Sequence, residues 1–258
     1  METVTSKDGT SIAFDRIGAG APVVLVSGGS TDRTANAPLA EQLASDLTVF
    51  NYDRRGRGPS GDTPSYAIER EIEDIEAVIE AAGGEAYLYG TSSGAALALD
   101  AAASGAPMTK LALWEPPYIL DPNMRPPADQ VEQYETMLDE DRRGDAVEYF
   151  MREVVRMPAE FVAGARTQPW WPATEALAHT LPYDARIMGD YSLPQDRAAK
   201  VSVPTLVLVG GASFPFMHET ARALAEAIPN GEVRTLEAQT HDVAPDAIAT
   251  ALREFFLA

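Results

Sequence analysis

Gly90-Thr91-Ser92-Ser93-Gly94 is the stretch that decides the fold. It follows a run of strand-forming residues, 86–89, and precedes a helix-forming run rich in alanine and leucine, 95–103. A turn this tight between a strand and a helix leaves no room for side chains two positions either side of the serine, so Gly90 and Gly94 are required. The pattern predicts that Ser92 takes a strained backbone conformation with its hydroxyl exposed at the corner.

The composition limits the classes of function. The chain has 258 residues, 45% of them hydrophobic, which is enough for one sizeable core. It contains no cysteine, which excludes disulfides, thiolate metal sites and cysteine nucleophiles. No group of histidines and carboxylates has the spacing of metal ligands, and no glycine-rich loop suits a nucleotide. We therefore expect neither a metal nor any other cofactor.

The charge and the termini limit the partners. The net charge is −19 at neutral pH, and the acidic residues are spread along the chain. Such a surface repels nucleic acid and anionic membranes. Residues 1–9 lack the basic and apolar regions of a signal peptide, and no apolar run reaches about 18 residues. We expect a cytoplasmic protein that acts on a small molecule, with no nucleic-acid or membrane partner, and leave a homodimer open.

Strand and helix patterns alternate along most of the chain. Strand patterns lie at 2–6, 11–17, 22–26, 47–52, 86–89, 110–115, 205–209 and 232–237. Residues 118–200 differ, because they hold helical patterns broken by prolines and no convincing strand. Strands that alternate with helices imply an α/β fold with a mostly parallel sheet and helices on both faces. We predict a core of residues 1–117 and 201–258, and a helical cap, or lid, of residues 118–200 inserted after the sixth strand.

This order resembles the α/β-hydrolase fold over nearly the whole chain. The Ser92 pentapeptide resembles the family's nucleophile elbow, and Asp53-Arg54-Arg55-Gly56-Arg57-Gly58-Pro59-Ser60 resembles its D-x-R-G-x-G-x-S turn, which is interpreted as structural. Thr240-His241-Asp242, followed by Pro245, resembles its histidine segment. The resemblance implies an eight-stranded, mostly parallel sheet flanked by helices, and a triad in the order serine, acid, histidine.

A serine hydroxyl needs a base to become a nucleophile, and the chain has three histidines. His179 lies in the predicted cap, and His218 lies at the start of the helix that follows the 205–209 strand. His241 lies in the loop between the last strand and the last helix, on the edge of the sheet where Ser92 emerges. We therefore predict His241 as the base.

The acid is the open question. Residues 210–215 read Gly-Gly-Ala-Ser-Phe-Pro, so Ser213 stands where the family usually has its aspartate. In some branches of the fold the acid lies instead at the end of the strand after the elbow strand, and that position here is Glu115. Fungal zearalenone lactonases show this displacement, and the S-S-G elbow and acid-free G-A-x-x-P loop resemble theirs. We predict Glu115 as the acid; Asp242, or a purely structural role for Glu115, stays open.

The resemblance also implies an oxyanion hole of two backbone N–H groups. One is expected from Ser93, the residue after the nucleophile, and the other from the loop 27–30, where Gly29 is preferred over Ser30. Ser27 stands where the family usually has a histidine. The residues predicted to line a substrate pocket are Ser30, Trp170, Trp171 and Phe214. The two tryptophans are equally consistent with the core of the cap.

Together these residues predict a cofactor-independent serine hydrolase that cleaves a carboxylic ester or lactone through an acyl-enzyme, with a Ser-His-Glu triad. Two other interpretations stay open. The same constellation on this fold suits carbon–carbon bond hydrolysis, perhydrolysis, or a lyase or cyclase step. The missing aspartate and the serine at position 27 would also fit a non-catalytic, ligand-binding member of the fold.

Overall fold

A single sheet carries the architecture of this computed structural model, which describes residues 1–258. In chain order its strands are β1 (Glu2–Thr5), β2 (Ser11–Gly18), β3 (Ala21–Val26), β4 (Leu47–Tyr52), β5 (Ala86–Thr91), β6 (Met108–Trp114), β7 (Thr205–Gly210) and β8 (Gly231–Leu236). Their order in space is β1-β2-β4-β3-β5-β6-β7-β8. β1 pairs antiparallel with β2 and β2 antiparallel with β4, whereas β3 to β8 are parallel. The predicted eight-stranded, mostly parallel sheet is confirmed.

Helices cover both faces of this sheet. In chain order they are α1 (Ala37–Leu43), α2 (Ile68–Ala81), α3 (Ser93–Ala103), α4 (Gln130–Asp139), α5 (Arg143–Tyr149), α6 (Ala159–Ala165), α7 (Trp171–Ala176), α8 (Leu181–Met188), α9 (Gln195–Ala198), α10 (Pro215–Ala227) and α11 (Pro245–Phe256). α1 and α11 pack on one face against Val23 and Leu25 of β3. α2, α3 and α10 pack on the other face against Val24 and Val26. The alternation along β3 is that of a strand buried on both sides.

The stretch between β6 and β7 contains α4 to α9 and no strand. It has a hydrophobic cluster of its own, which includes Tyr134, Val147, Trp171 and Leu181. After α5 the chain continues without a break into a single π-helical turn, Phe150–Val154. We call residues 118–200 the insertion from here on; that they act as a cap stays a prediction.

The parallel strands bring the candidate residues together. The carboxyl ends of β3, β5, β6, β7 and β8 share one edge of the sheet, where sites in open α/β folds lie. The loop 27–31 follows β3, Ser92 follows β5, Glu115 follows β6 and His241 follows β8. None of the helices has the length and apolar content needed to span a lipid bilayer.

Candidate active site

The turn between β5 and α3 has the strain that the sequence predicts for it. Ser92 has φ 55° and ψ −126°, outside the regions that L residues normally occupy. A Cβ on Gly90 would collide with the carbonyl oxygen of Gly94, and a Cβ on Gly94 would collide with that of Ser27. The Ser92 amide donates to the carbonyl of Trp114 at 2.9 Å, so β6 holds the turn in place. Glycine is therefore a steric requirement on both sides of the serine.

His241 is held by a carboxylate from the neighbouring strand end. Its Nδ1 lies 2.7 Å from Oε2 of Glu115, whose side chain is fully buried. The other carboxylate oxygen of Glu115 accepts a hydrogen bond from the Gly210 amide at 2.8 Å. Asp242, the alternative acid, makes no hydrogen bond to the imidazole ring. Of the two candidate carboxylates, the structure brings only Glu115 to His241.

The surroundings of Glu115 keep it ionised. Burial alone would raise its pKa, but the hydrogen bonds with His241 and the Gly210 amide outweigh burial and lower the pKa below its usual value. Ser213 also lowers this pKa, although its buried hydroxyl lacks regular hydrogen-bond geometry. An ionised carboxylate at Nδ1 favours the tautomer in which Nδ1 carries the proton and Nε2 is free to accept one.

Ser92, Ser93 and His241 open onto one cavity of about 590 Å³. No hydrogen bond joins the Ser92 hydroxyl to the His241 ring. Such contacts are often loose before a substrate binds and tighten in the complex. The nucleophile and base predicted from the sequence thus share a cavity, with the Glu115–His241 pair already formed.

The loop 27–31 lies directly against the serine turn. A Cβ on Gly28 would lie 3.2 Å from the Cβ of Ser92. The amides of Gly29 and Ser93 have no acceptor within the chain, and Ser93 begins the 11-residue helix α3. Free N–H groups favour a negatively charged oxygen, especially at the positive end of a helix, so both amides stay candidates for the predicted oxyanion hole.

The walls of the cavity come partly from residues that the sequence analysis missed. The insertion contributes Ile119, Phe150, Val154, Val155, Met157, Met188 and Tyr191. The core contributes Leu39, Phe216, Met217, Val243 and Ile248. No lysine or arginine lines the cavity. Nothing in the sequence separates such lining residues from the apolar positions that helices bury in their own core.

Of the four predicted pocket residues, Phe214 alone lines the cavity, and its side chain is largely exposed. Trp171 is buried inside the insertion, where Arg166 lies 5.5 Å from its ring, and Trp170 is partly exposed. Ser30 has φ 54° in the turn after Gly29 and does not reach the cavity. The prediction for Trp170, Trp171 and Ser30 is therefore corrected: the tryptophans belong to the packing of the insertion.

No group of three or more histidine, aspartate or glutamate side chains is arranged to hold a metal ion. The site therefore combines a strained serine, a histidine with an anionic partner, and two free amides beside an apolar cavity. Comparison with known proteins agrees with it, since the model of the α/β hydrolase family matches residues 23–251. The chain belongs to the α/β-hydrolase family.

Solved structures of this family match the whole chain. An α/β hydrolase from Sphaerobacter thermophilus is 57% identical, with 99% of this chain and 100% of that one covered and a TM-score of 0.93. A thermophilic esterase from Thermogutta terrifontis is 25% identical, with 99% and 97% covered and a TM-score of 0.77.

Curated relatives match over shorter stretches. The N-formylmaleamate deformylase of Pseudomonas putida is 36% identical over 104 residues, 39% of this chain and 39% of that protein. The uncharacterized hydrolase YraK of Bacillus subtilis is 33% identical over 96 residues, 36% of this chain and 35% of that protein. The matches thus span well under half the length of these relatives. The chain is thus a member of the α/β hydrolase family, and the proteins that it resembles include an esterase and a deformylase.

Proposed function

We propose that the protein is a cofactor-independent serine hydrolase that cleaves a carboxylic ester or lactone through an acyl-enzyme. The observation that carries this proposal is the 2.7 Å contact between Glu115 and His241, on the cavity that Ser92 also lines. A strained, half-buried serine that shares a cavity with an oriented histidine is the arrangement that acyl transfer needs.

In the proposed acylation step, Nε2 of His241 accepts the proton of the Ser92 hydroxyl while Oγ attacks the substrate carbonyl carbon. Glu115 stays ionised and stabilises the imidazolium that forms. The negative charge develops on the carbonyl oxygen, where the Gly29 and Ser93 amides donate hydrogen bonds to it. When the intermediate collapses, the carbon–oxygen bond to the leaving group breaks and His241 gives its proton to the leaving oxygen.

Deacylation repeats these roles with water. His241 takes a proton from a water molecule, whose oxygen attacks the acyl carbon, and the proton then returns to Ser92 Oγ as the acid leaves. For a lactone, the leaving hydroxyl stays attached to the acyl group, so one product results instead of two. The cavity supports a neutral, mostly apolar substrate, because apolar side chains dominate its walls and no cationic group lines it.

The predicted cap is part of this proposal. The insertion supplies one wall of the cavity through the π-helical turn Phe150–Val154 and through Met188 and Tyr191. Residues in a cap would shape the acyl or alkyl group that the site accepts, while the residues on the sheet edge would carry out the chemistry.

A fluorophosphonate probe tests the proposal. The wild-type protein is expected to be labelled on Ser92, and Ser92→Ala is expected to abolish labelling and to lower kcat for p-nitrophenyl butyrate by about 10⁴-fold or more. Ser104→Ala, an exposed serine at the other end of α3, is the matched control and should be labelled normally. Wild-type protein that fails to react, or labelling that survives Ser92→Ala, would overturn the proposal.

A further inference from the structure

A second buried carboxylate, Asp184 of α8, reaches the opposite side of the serine turn. It accepts hydrogen bonds from Arg54 Nη1 at 2.8 Å, from Arg57 Nη2 at 2.8 and 3.0 Å, and from the Ser93 hydroxyl at 2.8 Å. The residue is 6% exposed and also lines the cavity. A residue of the insertion therefore contacts the position next to the nucleophile.

The two arginines that hold Asp184 also hold the loop 27–31. Both are at most 1% exposed. Arg57 Nη1 donates to the carbonyls of Gly28 and Thr31, and Arg54 Nη1 lies 3.4 Å from the carbonyl oxygen of Ser27. Loop carbonyls are thus drawn towards the arginines on one side.

The contact at Gly28 fixes the direction of the next amide. In a trans peptide the C=O and the N–H point in opposite directions across one plane. Because the Gly28 carbonyl points at Arg57, the N–H of Gly29 points the other way, and it has no acceptor within the chain. A Cβ at Gly29 would lie 3.2 Å from Asp184 Oδ2 and 3.4 Å from Ser93 Oγ, so these groups are packed closely.

The charges of this group balance. Arg54 also makes a bidentate ion pair with Glu71 at 2.7 Å, so two guanidinium groups face two carboxylates. Burial would raise the pKa of Asp184, but Arg57, Arg54 and the Ser93 hydroxyl lower it below its usual value. An unpaired carboxylate here would repel the negative charge of a bound oxyanion, and the arginines remove that repulsion.

We propose that Asp184 is a positioning residue that fixes both oxyanion donors, the Gly29 amide through Arg57 and the Gly28 carbonyl, and Ser93 through its hydroxyl. The inference rests on the proposed function of the site. It means that the oxyanion hole is complete only when α8 of the insertion is docked on the core.

A pair of ketones separates this role from general damage. A trifluoromethyl ketone adds to a nucleophilic serine and places an oxyanion in the hole, whereas the matching methyl ketone only fills the cavity. For Asp184→Asn in the full chain we expect affinity for the trifluoromethyl ketone to fall about 10–100-fold, since loss of one donor costs about 10²–10³-fold in rate. Affinity for the methyl ketone and KM should change less than about 3-fold. The value of kcat should fall by about the same factor as the affinity for the trifluoromethyl ketone.

The matched control is Asp100→Asn. Asp100 is similarly buried and pairs with Arg197, a partly exposed residue of α9, and it does not line the cavity. This variant should leave both ketone affinities unchanged. Equal losses for the two ketones in Asp184→Asn, or unchanged affinity for the trifluoromethyl ketone, would overturn the positioning role while leaving the serine-hydrolase proposal intact. Failure of the wild type to react with a fluorophosphonate would overturn the proposed function instead.

A second variant covers the case in which Asp184→Asn does not fold. Ser93→Ala keeps the backbone amide and removes only the hydrogen bond from the hydroxyl to Asp184. We expect its affinity for the trifluoromethyl ketone to fall by about 3–10-fold. This is less than the 10²–10³-fold loss of rate that follows complete removal of a donor, because the amide itself remains. The methyl ketone should be unaffected. A Ser93→Ala protein with full affinity for both ketones would overturn the proposal.

Discussion

The two sides of the serine turn are built differently. On one side, Glu115 holds His241, and both residues follow strands of the same sheet. On the other side, Asp184 reaches the turn from a helix of the insertion, through arginines 130 and 127 residues away in sequence. The sheet alone thus brings the histidine and its carboxylate together, whereas the proposed oxyanion donors are also held by a residue of the insertion. We call the Glu115–His241 pair the base side, and the Gly29 and Ser93 amides with Asp184 the oxyanion side. Substitutions in the insertion should therefore disturb the oxyanion side more than the base side.

The largest effect is expected on the base side. Glu115→Gln keeps the size of the side chain but removes the negative charge beside His241 Nδ1. By analogy with the loss of a triad carboxylate, kcat should fall by about two to four orders of magnitude with little change in KM, because the wrong tautomer is favoured and the imidazolium is no longer stabilised. Steady-state kinetics with p-nitrophenyl butyrate measures this. Full activity in this variant, with activity lost in Asp242→Asn, would move the role to Asp242.

Another buried carboxylate, that of Asp100, lies outside the site and behaves differently from Glu115 and Asp184. Asp100 has Arg197 as its one ion-pair partner, and burial raises its pKa to about 6, although Arg197 opposes the change. Glu115 and Asp184 differ, since their partners lower their pKa values. Between pH 4 and 6 Asp100 holds a proton in the folded state and loses it in the unfolded state. Its contribution to stability is therefore present at low pH and is lost as the pH rises through 6.

Chemical denaturation from pH 4 to pH 7 measures this contribution. At about 1.4 kcal/mol per pKa unit, and because the unfolded carboxyl is already partly ionised at pH 4, the wild type should lose about 2 kcal/mol of unfolding free energy relative to Asp100→Asn over that range. The difference between the two proteins is the informative quantity, since Glu115 and Asp184 act in the opposite direction in both. Parallel curves for the two proteins would show that folding does not raise the pKa of Asp100.

The sequence predicted those parts of the molecule that depend on local signals. The serine turn was predictable because glycine at positions 90 and 94 is a steric requirement of one tight corner. The choice of Glu115 as the acid came from the resemblance to branches of the fold in which the acid ends the strand after the elbow strand, because Ser213 lacks a carboxylate; the structure brings Glu115 to His241. Both predictions use positions that can be read from the sequence.

The contacts of Asp184 with the arginines and with Ser93 could not be predicted from any local sequence pattern. Asp184 lies on α8, whose polar positions look like those of any exposed helical face, and its partners were interpreted as a structural turn. That Asp184 is buried depends on how the insertion docks onto residues 54–57, which no local pattern encodes. Trp170 and Trp171 are the opposite case. Their large apolar side chains were predicted to line a pocket, but they pack within the insertion instead.

The smallest expected effect is the recovery of kcat when the carboxylate that faces His241 is moved from position 115 to position 213. The Ser213 hydroxyl is buried near the Glu115 carboxylate, at the place where the family usually has its aspartate. In a Glu115→Gln background, Ser213→Asp supplies a new carboxylate from the loop after β7. We expect it to recover about 10-fold in kcat over Glu115→Gln alone, because any anion near Nδ1 restores part of the stabilisation of the imidazolium. Ser213→Asn in the same background is the neutral control and should recover nothing. Equal kcat for the aspartate and asparagine variants would show that an anion from the β7 loop cannot substitute, and that the contact of Glu115 with the Gly210 amide is part of the base side.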